Sequence, residues 1–300
     1  MENAELSHLY IEHKPILFSL AYKMTGSIAD AEDVIQDVFV KLNEYEMKHN
    51  KNVKAFLCKL VTNRCLDLLK ASKKKRELYV GTWLPEPIAV IETDPLHVMM
   101  MKNDMSYVLL VLFEQLNPIE RAIFILREIL EYDYETIAEI VQKKAANCRK
   151  ILSRIKKELP DLEKQSIVEN VKGDREQVIT CFINAIQQGN TTQVMEVLGE
   201  AIAYYADGGG RVTAATKPIY GAVRVQQLLI ALATKYFTNQ DECSMMQTDV
   251  NGSPGIVIRN RTGIQAVMSF EFEGNKIKSI YTILNPDKIK HFHINIDYTA

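Results

Sequence analysis

Residues 133–159 read DYETIAEIV, then QKK, then AANCRKILSRIKKEL, and this stretch decides the class of fold. The pattern predicts a short helix over Asp133–Val141, a three-residue turn over Gln142–Lys144 and a basic amphipathic helix over Ala145–Glu158. In a helix-turn-helix the second helix enters the major groove of DNA. Helical hairpins that bind no DNA are common, but seven Lys or Arg and no acid lie between Lys143 and Lys157. That unopposed charge favours duplex DNA as a partner.

A second basic patch lies earlier in the chain, between Lys48 and Arg76, where ten Lys or Arg accompany a single acid, Asp67. The rest of the first 160 residues is acidic, with 22 Asp or Glu against six Lys or Arg. A basic helix is usually only a solvated face. Two of them within an acidic background indicate two separate contacts with a polyanion, which the net charge of −2 conceals.

The composition is that of an ordinary globular protein, with 47% hydrophobic and 25% charged residues. Three hundred residues are too many for one compact core, so two or three domains are expected. No apolar run reaches the roughly 18–20 residues that a bilayer span needs, and the first residues lack a signal-peptide pattern. We therefore expect a cytoplasmic protein without membrane contact.

The cysteines and histidines give no sign of a metal site. The five cysteines form no CxxC pair, and their odd number suits reduced thiols. Cys58 and Cys65 lie seven residues apart, so a helix would place both on one buried face. His291 and His293 lack partners at ligand spacing. Neither a metal nor a cofactor is expected.

The N-terminal third is predicted to be helical. Ala31–Leu42 places Val34, Val38 and Leu42 on one stripe and leaves an acidic outer face. A polar stretch, Glu44–Asn52, precedes a long second helix over Val53–Lys75.

A linker follows the second helix. The pattern lapses from Glu77 to Pro95, where WLPEP at Trp83–Pro87 lacks the donors and backbone freedom of a helix. The single Trp of the chain sits there between apolar neighbours, which suggests that it docks onto another part of the protein. Helical periodicity resumes near Val98 and runs to Leu159.

The C-terminal part has a different character. Helical patterns over Asp174–Gln188, Thr191–Leu198 and Val223–Tyr236 accompany β-branched runs. Turn signals at Gly263 and at Gly274-Asn275 separate strands of alternating pattern, which predicts an antiparallel sheet. These elements imply an α+β domain of about 120 residues.

DAEDVIQDVFVKL (30–42), AFLCKLVTNRCLDLLK (55–70) and the helix-turn-helix resemble the extracytoplasmic-function (ECF) sigma factors of bacteria. WLPEP, DGGGR (207–211) and NPDK (285–288) resemble the subgroup with a fused SnoaL-like domain. The resemblance implies a multidomain fold: two all-α domains, then an α+β cone of the SnoaL or nuclear-transport-factor-2 (NTF2) type. The implied domains are sigma-2 at 1–76, a linker at 77–97, sigma-4 at 98–160 and a regulatory SnoaL-like domain at 170–290.

The resemblance assigns roles to the first two domains. It implies binding to core RNA polymerase through the β′ clamp and the β flap, with Asp33, Gln36 and Asp37 as candidate contacts on an acidic face that suits a cationic partner. The loop Glu44–Asn52 matches the loop that captures a base flipped out of the −10 element. Phe56 lies where relatives can carry an aromatic near the melting fork, although a core role is at least as plausible. The candidate −10 contacts are Asn63, Arg64, Lys70, Lys73, Lys74, Lys75 and Arg76.

The second basic helix supplies the candidate contacts with the −35 element of promoter DNA. The family's reading positions fall on Asn147, Arg149, Lys150, Ser153 and Arg154. Arg to guanine and Asn to adenine are the favoured bidentate pairs, each worth about 1–3 kcal/mol of discrimination. The turn lacks the Gly often found there, so we expect it to have ordinary backbone angles.

Two hypotheses remain for the C-terminal domain. In the first, which we favour, it contacts the sigma domains or the linker and regulates polymerase binding in cis. The candidate regulatory residues are Trp83, Pro85, Asp207, Gly208, Gly209, Gly210, Asn285, Pro286 and Asp287. In the second, the cone is a small-molecule sensor or an isomerase- or cyclase-like enzyme, with Asp207 as a general base. No second catalytic group is identifiable by spacing, so we expect no enzyme and assign no catalytic residue. The Gly triplet is interpreted as a tight turn rather than a phosphate cradle.

Overall fold

The computed structural model describes residues 3–42, 52–89, 106–159, 172–237 and 243–292. These residues form two compact units. The first comprises the described residues up to Glu77 together with 109–159, and the second comprises 78–89, 106–108 and the described residues from 172 onward. Residues 78–89, predicted to be part of a linker, therefore pack with the C-terminal unit.

The first unit begins with three packed helices, α1 (Asn3–Thr25), α2 (Ile28–Leu42) and α3 (Val53–Glu77). The apolar stripe predicted for α2 is buried against its neighbours, and Cys58 and Cys65 of α3 are fully buried as predicted. Both helices are slightly longer than the sequence pattern predicts, because α2 begins at Ile28 and α3 ends at Glu77.

The other half of the first unit is a set of short helices. They are α4 (Tyr107–Phe113), whose first residues belong to the second unit, α5 (Pro118–Phe124), a π-helical turn (Ile125–Ile129), α6 (Tyr134–Val141) and α7 (Ala145–Glu158). The periodicity predicted from Val98 to Leu159 is thus interrupted. Side-chain caps explain two helix starts, since the Asn117 side chain accepts hydrogen bonds from the first turn of α5 and Asp133 accepts one from the Thr136 N–H.

A buried arginine joins the two halves of the first unit. The Arg121 guanidinium on α5 donates to the carbonyl oxygen of Met24 and to Oε1 of Glu114, each at 2.7 Å. Oε2 of Glu114 accepts from Nη1 of Arg76 at 2.5 Å. Burial lowers the pKa of Arg121, whereas the Glu114 carboxylate opposes that shift. One carboxylate therefore neutralises two arginines from different helices.

The second unit is built on a six-stranded sheet. Its elements are α8 (Lys172–Gln187), α9 (Thr191–Val197), β1 (Leu198–Asp207), β2 (Ile219–Tyr220), α10 (Ala222–Phe237), β3 (Ser244–Val250), β4 (Ser253–Asn260), β5 (Gly263–Glu273), β6 (Lys276–Ile283) and α11 (Pro286–Ile289). The strand order is β2-β1-β6-β5-β4-β3.

The prediction of an antiparallel sheet needs one correction. Strands β3 to β6 form an antiparallel meander, but β1 and β6 are parallel, with Ala206 opposite Thr282. Tight turns reveal only hairpins between consecutive strands. A parallel pair requires a long crossover, and no local pattern marks which strands it joins.

The core of the second unit lies between the sheet and helices α8, α9 and α10. Phe182 of α8 meets Phe270 of β5 edge-on, with ring centroids 5.6 Å apart. Helical domains followed by an α+β cone confirm the predicted fold class. Within the described residues, no helix has both the length and the apolar character needed to cross a bilayer.

Candidate functional site

The helix-turn-helix presents one polar face of α7. Cys148, Leu152 and Ile155 are buried on its inner side, where α6 contributes Ile137 and Ile140. The residues predicted to read the −35 element lie on the opposite side and are all exposed: Asn147, Arg149, Lys150, Ser153 and Arg154.

The turn between α6 and α7 corrects a prediction. Gln142 ends α6 in the left-handed conformation, with φ 53° and ψ 48°, rather than with ordinary angles. This conformation lets the N–H groups of Gln142 and Lys143 both donate to the carbonyl oxygen of Ala138. A glycine would adopt this conformation without strain. The backbone of the turn therefore has the shape that glycine usually provides, but glutamine occupies the position at a cost in strain.

Two of the exposed arginines on α7 make surface ion pairs. Arg149 donates to Oε1 of Glu135 at 3.0 Å and lies 4.8 Å from the ring centroid of Tyr134. Arg154 bonds Glu120, whose other oxygen accepts the Asn117 N–H at the cap of α5. The Arg149–Glu135 pair is exposed and contributes only about 0–1 kcal/mol, so a DNA group can replace Glu135 at little cost.

The outer face of α2 combines acids with an exposed apolar residue. Asp33 and Gln36 are exposed, and Asp37 is half-buried. Oδ2 of Asp37 accepts a hydrogen bond from Nε of Arg64 at 2.7 Å and lies 2.6 Å from Nη2 of the same guanidinium. Asp37 and Arg64 were predicted to bind different partners, but here they bind each other. Val40, one turn further along this face, is 75% exposed. The sequence pattern missed Val40, although its position outside the buried stripe was a usable signal.

The predicted −10 contacts on α3 have different surroundings. Asn63 and Arg64 are half-buried, and Lys70, Lys73 and Lys74 are exposed. The Arg76 guanidinium bonds Glu114 and the carbonyl oxygen of Thr25, so it holds the helices together rather than projecting toward a phosphate. The side chain of Lys75 and residues 44–51 of the predicted base-capturing loop lie outside the described residues. Phe56 is half-buried, which fits either of its two interpretations.

Asp207 is the centre of a buried cluster in the second unit. Its carboxylate is fully buried at the end of β1. Oδ1 accepts the Tyr79 hydroxyl at 2.6 Å, and Oδ2 accepts the Leu84 N–H at 2.8 Å and Nζ of Lys288 at 2.7 Å. Residues 79–89, here called the strap, are thereby fixed to the cone.

Lys288 completes the cluster. Its Nζ also bonds the carbonyl oxygen of Leu84 and lies 3.9 Å from the ring centroid of Trp83. The Asn285 amide donates to the Tyr79 hydroxyl at 2.9 Å. Burial, then the hydrogen bond to Asp207, raises the pKa of Tyr79. Trp83 was expected to pack onto another part of the protein, and within the second unit it packs against Lys288.

The glycines of DGGGR form a tight turn that lets the strap approach. Gly209 has a φ of 58°, and a Cβ there would lie 2.2 Å from Nδ2 of Asn285 and 2.9 Å from the Tyr79 hydroxyl. Any larger residue would therefore displace the strap. Pro286 and Asp287 are exposed beside this cluster, where Asp287 pairs with Arg211.

Further bonds hold the rest of the strap. Ile88 and Asn251 exchange two hydrogen bonds, from the Ile88 N–H to Oδ1 of Asn251 at 3.0 Å and from the Asn251 N–H to the Ile88 carbonyl at 2.9 Å. The Tyr107 hydroxyl donates to the carbonyl oxygen of Pro85 at 2.7 Å. The chain is therefore held on both sides of residues 90–105.

Comparisons with known proteins identify the two helical segments. The Sigma-70 region 2 family matches residues 9–75, and the Sigma-70 region 4 family matches residues 107–159. The ECF RNA polymerase sigma factor SigJ of Mycobacterium tuberculosis (strain ATCC 25618 / H37Rv) is 25% identical over 281 residues, covering 91% of this chain and 89% of SigJ. The two helical segments are therefore sigma-factor domains, and over about nine-tenths of its length the chain is similar to ECF sigma factors. As an alternative sigma factor, it binds RNA polymerase and promoter DNA and initiates transcription.

Other comparisons extend over both units of this sigma factor. The probable ECF RNA polymerase sigma factor SigI of Mycobacterium tuberculosis (strain CDC 1551 / Oshkosh) is 25% identical over 280 residues, which is 92% of each chain. The crystal structure of Mycobacterium tuberculosis SigJ has the same fold, with a TM-score of 0.77 and 23% identity over 95% of this chain and 99% of that one.

Two members of the strap cluster in this sigma factor were not predicted as site residues. They are Tyr79 and Lys288, which lie 128 and 81 residues from Asp207 in sequence. Lys288 had a signal, because it is the last residue of NPDK. Tyr79 had none, since it precedes WLPEP in an unpatterned segment. Among the described residues, no group of three or more His, Cys, Asp or Glu could hold a metal ion.

Proposed function

We propose that this sigma factor contacts the β′ clamp of core polymerase through the outer face of α2, binds the β flap, and reads the −35 element with α7. It does so in the cytoplasm and is not itself an enzyme. Asp33, Gln36 and Val40 form the centre of the clamp contact, because they combine negative charge with an exposed apolar side chain. Asn63, Arg64 and the exposed lysines of α3 contact the −10 region.

The proposal includes regulation in cis by the second unit. The observation that carries it is the strap cluster, in which Asp207 and Lys288 bind the segment that connects the two DNA-binding parts. Residues 78–108 could span roughly 100 Å if fully extended. The −35 and −10 elements lie about 25 base pairs, or about 85 Å, apart along DNA.

A free linker could bridge that distance, but the linker is held at both ends. The Tyr107 hydroxyl donates to the Pro85 carbonyl oxygen at 2.7 Å, so these two ends of the linker are held together. The strap must leave the cone before α3 and α7 reach their separate promoter elements. The cone therefore restrains initiation, and release of the strap increases it.

The geometry of Asp207 argues against the enzymatic alternative. A general base needs a free lone pair directed at a substrate. Both carboxylate oxygens of Asp207 already accept hydrogen bonds, and the Lys288 ammonium neutralises the charge. The carboxylate is also fully buried. Asp207 is better suited to holding the strap.

Run-off transcription with bacterial core polymerase and fragmented genomic DNA of the source organism tests the regulatory part. Tyr79→Phe removes the hydroxyl that bonds Asp207 and Asn285, and we expect it to increase transcript yield severalfold. Tyr220→Phe is the matched control, because Tyr220 is 58% exposed in the same unit. Equal yields from the wild type and Tyr79→Phe would contradict restraint by the strap.

The contact surfaces are tested separately by binding. We expect Val40→Asp and Asp33→Ala to weaken binding to core polymerase, while Asp174→Ala, which removes an exposed helical acid in the second unit, leaves it unchanged. Asn147→Ala should lose promoter discrimination at one −35 base by about 5- to 100-fold. Lys157→Ala, on the same helix, should weaken binding to all sequences alike. The assignments fail if the paired variants behave identically.

A further inference from the structure

The ring of Tyr134 lies beside one of the side chains that are proposed to read bases. Tyr134 is the first residue of α6, where the N–H of Thr136 donates to Asp133 and caps the helix. The guanidinium carbon of Arg149 lies over this ring, 4.8 Å from its centroid. A guanidinium within about 6 Å of a ring centroid is attracted by the negative face of the ring. The first helix of the hairpin therefore holds a side chain of the second.

The ring is itself held by a second arginine. Tyr134 is half-buried, and the guanidinium carbon of Arg127 lies 4.9 Å from the same centroid. Arg127 belongs to the π-helical turn, and its Nη1 donates to the carbonyl oxygen of Tyr132 at 2.8 Å. Turns of this kind are frequent at functional sites. Because Arg127 is bonded to the main chain just before α6, the ring offers Arg149 a fixed surface.

The contact with the ring leaves the donors of Arg149 available. A guanidinium has five N–H donors in one plane, and two of them suffice for O6 and N7 of a guanine. Contact over the ring face uses none of them in a conventional hydrogen bond. Glu135 accepts one, from Nη2 at 3.0 Å, but this carboxylate is 69% exposed and is easily displaced. Arg149 can therefore stay on the ring while its edge bonds a base.

A side chain that is held in advance loses less freedom on binding. Arginine has many rotamers, and ordering such a side chain at an interface costs free energy. Arg149 is exposed, and its contacts with Tyr134 and Glu135 restrict it before DNA arrives. A bidentate bond to guanine needs one orientation of the guanidinium plane. A held guanidinium in that orientation adapts poorly to other acceptors, so the restriction favours guanine over other bases.

Arg154 of the same helix has different surroundings. It pairs with Glu120 and, at 4.0 Å, with Glu158. Both of these partners are carboxylates, which accept from the donor groups instead of holding the plane of the guanidinium. Arg154 is therefore an internal comparison, since a change at Tyr134 should not affect it.

We propose that Tyr134 is a positioning residue that sets specificity in the −35 element, because it holds the guanidinium of Arg149 ready for a guanine and leaves the N–H donors free. The inference rests on the proposed reading of the −35 element by α7. Tyr134 was not among the residues that the sequence assigned to DNA. It acts through Arg149 and contacts no base itself.

Binding of the holoenzyme to altered promoters tests this role. The full chain is assembled with bacterial core polymerase on a promoter found by run-off transcription. Competition then gives the relative affinity for each single base-pair substitution in the −35 element, and Arg149→Ala identifies the base pair that Arg149 reads. At this base pair we expect Tyr134→Leu to lower discrimination by about two- to fivefold, the factor that an exposed cation–π contact contributes to an equilibrium constant. Tyr134→Phe, which keeps the ring, should discriminate like the wild type.

Further variants separate positioning from stability. Discrimination is a ratio measured on one preparation, so a smaller folded fraction of Tyr134→Leu does not change it. Tyr134→Leu should keep the discrimination that Arg154→Ala loses, and Glu135→Gln should keep the discrimination at the base pair of Arg149. In the Arg149→Ala background, Tyr134→Leu should have no further effect on discrimination.

The outcomes distinguish this inference from the proposed function. If Arg149→Ala changes discrimination at no base pair, α7 does not read DNA through Arg149, and the inference falls with that part of the proposed function. If Arg149→Ala changes one base pair and Tyr134→Leu does not, only the positioning role is overturned. The same holds if Tyr134→Phe loses as much discrimination as Tyr134→Leu.

Discussion

Replacing Lys288 by Met is expected to destabilise the second unit by about 3–5 kcal/mol. The side chain of Lys288 is 8% exposed, and its ammonium donates hydrogen bonds to Oδ2 of Asp207 at 2.7 Å and to the Leu84 carbonyl oxygen and contacts the Trp83 ring. Removing it leaves the fully buried carboxylate of Asp207 with two neutral donors and no counter-charge. The loss of one partner of a buried ion pair has this magnitude because the other charge remains desolvated.

The double variant Asp207→Asn with Lys288→Met tests how much of the lost stability comes from leaving one buried charge without its partner. It removes both charges, so the desolvated carboxylate disappears with its partner. We expect it to be more stable than the sum of the two single losses predicts, with a coupling energy of about 2–3 kcal/mol. Lys290→Met is the control, since Lys290 is exposed two residues later on the same segment, and it should change stability by less than about 0.5 kcal/mol.

Urea unfolding measures these differences, followed by far-ultraviolet circular dichroism and by the emission of Trp83. The midpoint should fall in Lys288→Met and stay unchanged in Lys290→Met. The reasoning is refuted if Lys288→Met loses less than about 1 kcal/mol, or if the losses of the two single variants simply add in the double variant. In either case the Asp207 cluster would not be what holds the strap.

Three further predictions concern single features of the chain. Gln142→Gly should raise the stability measured in a thermal melt by about 0.5–1 kcal/mol, because glycine adopts the left-handed turn without strain. The control Gln177→Gly, in the middle of α8, should lower it, and a fall in stability in both variants would contradict the account of the turn. With a thiol reagent at pH 8, exposed Cys181 should react fast and Cys58 should not, because burial raises the pKa of the Cys58 thiol; Cys181→Ser should remove the fast phase. Burial, then the hydrogen bond to Asp207, raises the pKa of Tyr79, so with rising pH the unfolded state loses the hydroxyl proton before the folded state does. The free energy of unfolding in a pH series should therefore hold below about pH 10 and fall above it, and Tyr79→Phe should reduce the fall.

Local patterns were sufficient for the parts of this protein in which neighbours in sequence are neighbours in space. The helix-turn-helix, the buried stripe of α2 and the exposed face of α7 follow from a period of 3.6 residues and from charge. The motifs WLPEP, DGGGR and NPDK contain the residues of the strap cluster except Tyr79. Even the turn at Gln142 has the expected place, although a residue that strains it hid its geometry.

Contacts between distant segments were decided only by the tertiary structure. The sequence by itself indicated two basic helices in an acidic background, helical parts followed by an α+β part, and free cysteines. It did not determine that Arg76 would bind Glu114 instead of projecting outward, that β1 would lie parallel to β6, or that Tyr79 and Lys288 would meet at Asp207. Periodicity records which face of an element is buried but not what covers it. A buried charge is satisfied by whichever group the packed chain brings within about 3 Å, and only the folded arrangement selects that group.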